Sequence, residues 1–451
     1  MRKSALKDKI YEEKDLAING GKKSISKFKG KGTPKIGISE FLELADTWGY
    51  SAVARANIKR VIEKEDIPSP HLARYYNPRR SKVLELENYA KKLFGSSYAL
   101  AVNSGTSALN CAYVACGIGP GDEVIVPGYT FFATAAEVVA ARAIPVIAEV
   151  DDSLTIDPKD VEKKITPQTK AIVPVHMVGN ACDMDPIMEI AKKHKLFVIE
   201  DNAQSCGGKY KGRFLGTIGD LGCFSLSTYK ITGGGEGGLV LTNDEWLYTR
   251  AQSQHDTAAC WRPDRYARER RPGELFCGQN YRMSELEGSV ILVQLKKTEA
   301  QAKRFNRNMR RVLSMVKKYE KVVPRRSNDI LGDVGYSLIF FAKDRELAEK
   351  LADALIAEGV PAGARGTKAA RDWHIYSYWE HILEQKTPTP EGCPFTCPYY
   401  KGKLPAYSPD MCPNTLDYVD RALYISIDQW WNIEDCKNVA KAINKVFSVY
   451  C

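Results

Sequence analysis

No stretch of this 451-residue sequence approaches the roughly 20 consecutive apolar residues that a membrane-crossing helix needs, so no such span is expected. The opening Met1-Arg-Lys-Ser-Ala-Leu-Lys-Asp-Lys9 carries charge with no apolar segment behind it, which is not a secretory pattern; the expectation is a cytoplasmic chain with no membrane partner. Gly-Lys-Ser/Thr is absent, and the run Gly233–Gly238 leads toward a strand rather than a helix, which disfavours ATP and NAD. Twelve cysteines in a chain of this length make no dense disulfide framework. Cys111, Cys116, Cys206 and Cys223 lie in apolar surroundings, as reduced buried cysteines do. Cys393-Pro-Phe-Thr-Cys397, with Cys412 beyond it, offers no obvious fourth zinc ligand, so no metal is expected. The net charge of +10 comes partly from a lysine-rich first 31 residues and is diffuse. A nucleic-acid surface would interleave basic and aromatic residues on one face; here a solvated basic surface with mild attraction for anionic substrates is expected.

What is present describes an ordinary globular protein, 44% apolar and 27% charged, long enough for two domains. Residues 1–80 are polar, with helix-like pieces around Ile38–Trp48 and Val53–Glu65, and read as an N-terminal extension packed on the body. A helix follows at Leu84–Phe94. From there strand-like runs (Tyr98–Val102, Glu123–Val126, Ile144–Ala148, Ala171–Val175, Leu196–Ile199, Gly222–Leu226, Leu239–Leu241) alternate with helical stretches (Ser107–Cys116, Ala133–Ala141, Pro158–Lys164, Pro186–His194). That alternation predicts an α/β large domain over 81–319, a mostly parallel sheet flanked by helices. Glu285–Tyr319 reads as one long helical region leading to a smaller C-terminal α/β domain, 320–451. Seven prolines and four aromatics crowd residues 388–413, a loop that is either a lid or a stiffened surface excursion.

Three segments carry chemistry. Strand Tyr98–Val102 runs into Asn103-Ser-Gly-Thr-Ser107 and a helix, where free backbone N–H groups and the helix dipole make an anion site. Gly105 removes a blocking side chain, and Thr106 and Ser107 add hydroxyls; an ordinary N-cap reads the same way. Leu196-Phe-Val-Ile-Glu-Asp201-Asn-Ala-Gln204 places an acidic pair at a strand's C-terminal end, where doubly wound sheets hold ligands. Asp201 there suits a protonated heterocyclic nitrogen, although a turn cap or a metal ligand fits the residues equally well. Val126-Pro-Gly-Tyr-Thr130-Phe131-Phe132 offers a ring to stack on a planar ligand, or simply core aromatics. Lys230, between an apolar run and a glycine turn that lets another molecule approach, suits a Schiff-base lysine; alone it reads as a solvated charge.

In this order the pieces match pyridoxal-phosphate chemistry. From about residue 97 to the end the chain resembles the DegT/DnrJ/EryC1/StrS family of sugar aminotransferases. The resemblance rests on Ser104-Gly-Thr, Pro127-Gly-Tyr-Thr-Phe131, Glu200-Asp201-Asn-Ala-Gln204, Ser225…Lys230, Gly235-Glu-Gly-Gly238 and Gly278-Gln-Asn280-Tyr-Arg-Met-Ser-Glu285; Leu16-Ala-Ile-Asn-Gly-Gly21 looks like the family's leader. It implies a fold type I transferase that binds pyridoxal 5'-phosphate, with pyridoxamine phosphate as the alternate form. Lys230 and Asp201 would be catalytic, Lys230 bonding the cofactor and moving the proton while Asp201 keeps the ring nitrogen protonated. Gln204 would face the phenolic oxygen, Phe131 would stack on the ring, and Gly105, Thr106 and Ser225 would hold the phosphate. Asn280 would reach the same phosphate from a neighbouring subunit, which makes the expected enzyme a homodimer with shared sites.

The resemblance further implies glutamate or glutamine as amino donor. The acceptor would be a keto or aldehyde group on a sugar, an octulosonate-like sugar acid or a cyclitol, in lipopolysaccharide or secondary-metabolite biosynthesis. Ser225-Leu-Ser227 departs from the family's Ser-Phe-His, and His255-Asp256 from its His-Gly. Asp372-Trp-His-Ile-Tyr-Ser377 and Gly392-Cys-Pro-Phe-Thr-Cys-Pro398 look like the sugar-acid and cyclitol subgroup. A dehydratase or lyase on the same fold is the alternative, but such relatives have histidine where Lys230 stands; a non-catalytic relative would not keep the full set.

Overall fold

The computed structural model describes residues 10–27, 36–65, 81–257, 268–365 and 371–451. By contact it divides into Met1–Ala73 and Arg74–Cys451. The first unit holds two single-turn helices, Glu13–Asp15 and Ala17–Asn19, and two α-helices, Ile38–Thr47 and Ala52–Ile62, where helix-like pieces were expected. Ser51 starts the second α-helix by accepting the Ala54 amide at 3.2 Å, satisfying a first-turn donor.

The described residues of the second unit form thirteen strands: β1 (Tyr98–Val102), β2 (Glu123–Pro127), β3 (Ile144–Ala148), β4 (Thr169–Ile172), β5 (Phe197–Asp201), β6 (Lys209–Tyr210), β7 (Arg213–Phe214), β8 (Leu221–Ser225), β9 (Gly238–Thr242), β10 (Val322–Pro324), β11 (Ser337–Ala342), β12 (Ala362–Ala364) and β13 (Ala422–Ser426). Seven of them form one sheet in the order β1-β9-β8-β5-β4-β2-β3, and β6 with β7 forms a ribbon. All neighbours in the large sheet are parallel except β9, which runs antiparallel to both β1 and β8. The exception has a plain cause. A parallel return needs a crossover, usually a helix, whereas residues 226–237 between β8 and β9 contain none.

Helices Lys82–Phe94, Gly105–Ala115, Ala133–Ala140, Pro158–Lys164, Met184–His194 and Glu245–His255 accompany the sheet. Their apolar faces and both faces of the strands close three buried clusters, as a sheet covered on both sides requires. Cys111, Cys116, Cys206 and Cys223 are buried in them. The expected helix 285–319 is two helices, Glu285–Leu295 and Thr298–Met315. The break lets buried Thr298 share a 2.6 Å hydrogen bond with Thr232.

A second sheet, β10-β11-β13-β12, is wholly antiparallel and packs its own core with helices Arg345–Ala357 and Ile433–Tyr450. Strand β3 ends the large sheet, and the proline-rich segment lies there. Tyr407 donates its hydroxyl to the Pro145 carbonyl of β3 at 2.7 Å, and Tyr400 donates to Glu123 of β2. Covering an edge strand in this way blunts the pairing surface that an open edge presents.

Candidate active site

The C-terminal ends of β1, β5 and β8 converge on one cavity. After β1 the chain turns through Asn103 and Ser104 into helix Gly105–Ala115. Ser104 Oγ accepts the Ser107 amide at 3.0 Å, and Ser107 Oγ donates to Asn103 Oδ1 at 2.6 Å. The turn is therefore a true N-cap, and the Gly105 and Thr106 amides remain without partners among the described residues. A Cβ on Gly105 would stand 2.7 Å from the Ser225 Cβ. The glycine's first effect is thus to let the helix terminus meet the end of β8, so that two open amides and the Ser225 hydroxyl share one wall.

The acidic pair at the end of β5 splits, because neighbouring strand residues face opposite sides. Glu200 accepts amides from Gly216, Ile218 and Gly219 at 2.8, 2.6 and 2.7 Å and faces His176 Nε2 at 3.0 Å. His176 Nδ1 accepts the Cys182 amide, so its proton is assigned to Nε2, which donates to Glu200. Glu200 is a structural carboxylate. Asp201 turns into the cavity, 4% exposed, with Oδ2 accepting the Thr134 hydroxyl at 2.8 Å and Oδ1 the Ala203 amide at 3.1 Å. Burial pushes its carboxyl above the ordinary value, and the hydrogen bonds and Lys230 offset part of that rise.

Lys230 sits in a loop bonded to itself: its amide reaches Ser227 O at 2.9 Å, Thr228 N reaches Gly235 O at 2.8 Å, and Leu226 N reaches Gly237 O at 2.8 Å. The glycines here were expected to open room for a ligand; they serve the loop instead. A Cβ on Gly233 would lie 2.5 Å from Ser227 O, and one on Gly237 would lie 2.6 Å from Ile291 Cδ1. Only Gly235, at φ +116°, answers a backbone demand that other residues rarely meet. Desolvation lowers the Lys230 ammonium pKa, and the Asp201 charge opposes that fall.

Gln204 Oε1 accepts the Val178 amide at 3.1 Å and lies 3.4 Å from the Tyr336 hydroxyl. Its carbonyl is thereby engaged, which leaves the amide nitrogen as the group available to a ligand. Gly105, Thr106, Phe131, Asp201, Gln204, Ser225 and Lys230 all line a cavity of about 360 Å³. Phe131 is 49% exposed, a large ring open to that space rather than a core aromatic. Asn280 does not line it. It is exposed and paired with Asp256 across an isolated bridge.

A second cavity, about 660 Å³, shares Met177, Gln204, Lys230 and His374 with the first and adds the hydroxyls of Tyr129, Tyr336 and Tyr424. Thr134, His374 and these tyrosines were not named from the sequence as site residues. Thr134 had a signal, since it follows the Pro127–Phe131 motif by three positions; Tyr336 and Tyr424 had none.

The residues fit pyridoxal phosphate. Asp201 is a desolvated carboxylate without an ion pair among the described residues, which a protonated ring nitrogen would offset. Two open amides at a helix N-terminus with Ser225 beside them suit a phosphate, and a lysine of lowered pKa suits an aldehyde.

Residues 77–392 match the sequence profile of the DegT/DnrJ/EryC1/StrS aminotransferase family. A relative in Caulobacter vibrioides, GDP-perosamine synthase, is 40% identical over 223 residues, 48% of this chain and 57% of its own length. The L-glutamine:2-deoxy-scyllo-inosose aminotransferase of Streptomyces kanamyceticus is 39% identical over 215 residues, 47% of this chain and 49% of its own. The chain thus spans about half the length of these curated relatives. Among solved structures, 3-amino-5-hydroxybenzoic acid synthase superposes with a TM-score of 0.67 at 26% identity, over 82% of this chain and 91% of that one. The architecture is that of the fold type I transferases.

Proposed function

Because this chain belongs to the DegT/DnrJ/EryC1/StrS aminotransferase family, we propose that it is a pyridoxal-phosphate-dependent aminotransferase. Its donor is glutamine or glutamate, and its acceptor is a keto or aldehyde group on a sugar, sugar acid or cyclitol. The observation that carries the reading is Asp201 and Lys230 lining one cavity beside an open helix N-terminus. The activities for which these relatives are named, GDP-perosamine synthesis and L-glutamine:2-deoxy-scyllo-inosose amino transfer, support the donor and acceptor classes.

The cofactor, when bound, supplies an electron sink and carries the amino group between the two substrates. Lys230 holds it and, with its Nζ freed, takes the proton from the donor's α-carbon and later returns one to the acceptor carbon. The lowered pKa favours this, because the neutral amine is the base. Asp201 holds a proton on the ring nitrogen facing it, and Thr134 and the Ala203 amide fix the carboxylate for that task. The Gly105 and Thr106 amides and the Ser225 hydroxyl bind the phosphate, Gln204 donates to the phenolic oxygen, and Phe131 covers the ring.

The exposed Asn280 reaches the phosphate of a second subunit, so the working form is a homodimer in the cytoplasm. The pathway is amino-sugar or aminocyclitol synthesis for a surface polysaccharide or secondary metabolite. The test is spectroscopic. L-glutamine or L-glutamate added to the loaded protein should convert its visible absorbance to that of pyridoxamine phosphate, and Lys230→Ala should abolish the change; a variant that still turns over sinks the mechanism.

A further inference from the structure

The C-terminal segment brings an imidazole into the cleft. Residues 372–376 are stitched to the turn after β2: Tyr129 and Ile375 form an antiparallel bridge, Thr130 N donates to His374 O at 2.9 Å, and Tyr376 N donates to Gly128 O at 3.0 Å. This pairing sets the His374 ring against Phe131, centroids 5.4 Å apart, where it lines both cavities alongside Lys230. Asp372 Oδ1 holds it from behind, 2.8 Å from Nδ1 and 2.9 Å from the His374 amide. A carboxylate can only accept, so Nδ1 carries the hydrogen; in the tautomer this fixes, Nε2 is the nitrogen with the lone pair.

We propose that His374, oriented by Asp372, recognises the amino acceptor by taking a hydrogen bond at Nε2 from an acceptor hydroxyl next to the reacting carbonyl. The proposal rests on the aminotransferase reading. Three features carry it. His374 is the one imidazole lining either described cavity. It lines both cavities, as Lys230 does. The remaining polar wall of the larger cavity is dominated by hydroxyls and amides: Tyr129, Tyr336, Tyr424, Ser426, Gln204 and Gln429. Such a wall matches a polyhydroxylated ketone, whose oxygens both donate and accept. Asp372 is a positioning residue and acts only through the ring.

The experiment uses full-length protein in its pyridoxamine form, generated with L-glutamine. Cyclic ketones are supplied in pairs that differ by the hydroxyl beside the carbonyl, scyllo-inosose and 2-deoxy-scyllo-inosose among them, with keto-hexose and keto-octulosonate pairs alongside. For the pair that reacts, the wild type should prefer the hydroxylated member by about tenfold in kcat/KM, the worth of one hydrogen bond. His374→Ala should erase that preference, chiefly through KM. His374→Gln, whose amide oxygen also accepts, should keep part of it, and Asp372→Asn should weaken it while retaining cofactor. Undiminished preference in His374→Ala overturns the proposal, as does a wild type that runs the donor half-reaction but discriminates in no pair. A wild type that fails the donor half-reaction refutes the aminotransferase reading itself.

Discussion

Thr134 donates its hydroxyl to Asp201 Oδ2 at 2.8 Å while sharing a 2.7 Å hydrogen bond with Thr130. The chain from the Pro127–Phe131 turn to the end of β5 thus fixes one oxygen of a buried carboxylate. Both threonines are buried, so the bond is not exchanged for solvent.

Thr134→Val keeps the volume and removes the donor. Asp201 then loses one of the bonds that favour its charged form, and its pKa rises further. A hydrogen bond to a charged group contributes about 1.5–3 kcal/mol, so the variant should bind pyridoxal phosphate at least about tenfold more weakly. Equilibrium dialysis measures this. An unchanged Kd would remove Thr134 from the support of Asp201.

Desolvation holds the Lys230 amine below the ordinary lysine value of 10.5, and Asp201 pulls it back up. Only the neutral amine attacks an aldehyde. Cofactor capture by stripped protein should therefore speed up with rising pH, reach half its maximum at a midpoint below 10.5 and level off above it. Asp201→Asn removes the charge that favours the ammonium, so the midpoint should move lower still. Stopped-flow absorbance across a pH series reads both. A midpoint that rises in Asp201→Asn would contradict the coupling.

How much of this was legible beforehand depends on how far apart in sequence the determinants lie. The N-cap at Ser104, the strand ends carrying Asp201 and Ser225, and the helix Pro158–Lys164 are set by neighbours within a turn or two, and their boundaries fall within two residues of where the pattern placed them. The split between Glu200 and Asp201 was implicit in the two-residue period of a strand. Gly237 was misread because its partner is remote, since nothing near it reveals that Ile291 will press on it, whereas Gly233 meets Ser227 O within the folded loop itself, which a linear pattern does not show. His374 enters through a backbone pairing with Tyr129 and Thr130, more than two hundred residues away, for which no local periodicity exists. The break after Leu295 has no glycine or proline to announce it and follows from a tertiary contact, Thr298 with Thr232.

The proline-rich segment can be assigned by a single hydroxyl. Tyr407 holds the carbonyl of Pro145 on the edge strand β3, and no described residue of 388–413 lines either cavity of the site. Tyr407→Phe should lower stability by about 1 kcal/mol through the unsatisfied carbonyl, read from urea midpoints, and leave kcat within about twofold. A large fall in kcat with normal stability would favour a lid.

Asn280 gives the sharpest test of a shared site, since it is exposed and absent from the cavity of its own chain. If it completes the phosphate site of a twofold partner, Lys230→Ala and Asn280→Ala homodimers should each be nearly inactive. In a mixed dimer one site draws its lysine from the Asn280 variant and its asparagine from the Lys230 variant, and that site is whole; the other lacks both. Random exchange at equal amounts makes about half the dimers mixed, so about a quarter of wild-type activity should return on co-refolding. Sites built within one chain would restore none, because every such site then lacks one residue or the other, and the assay would show only the sum of the two parent activities.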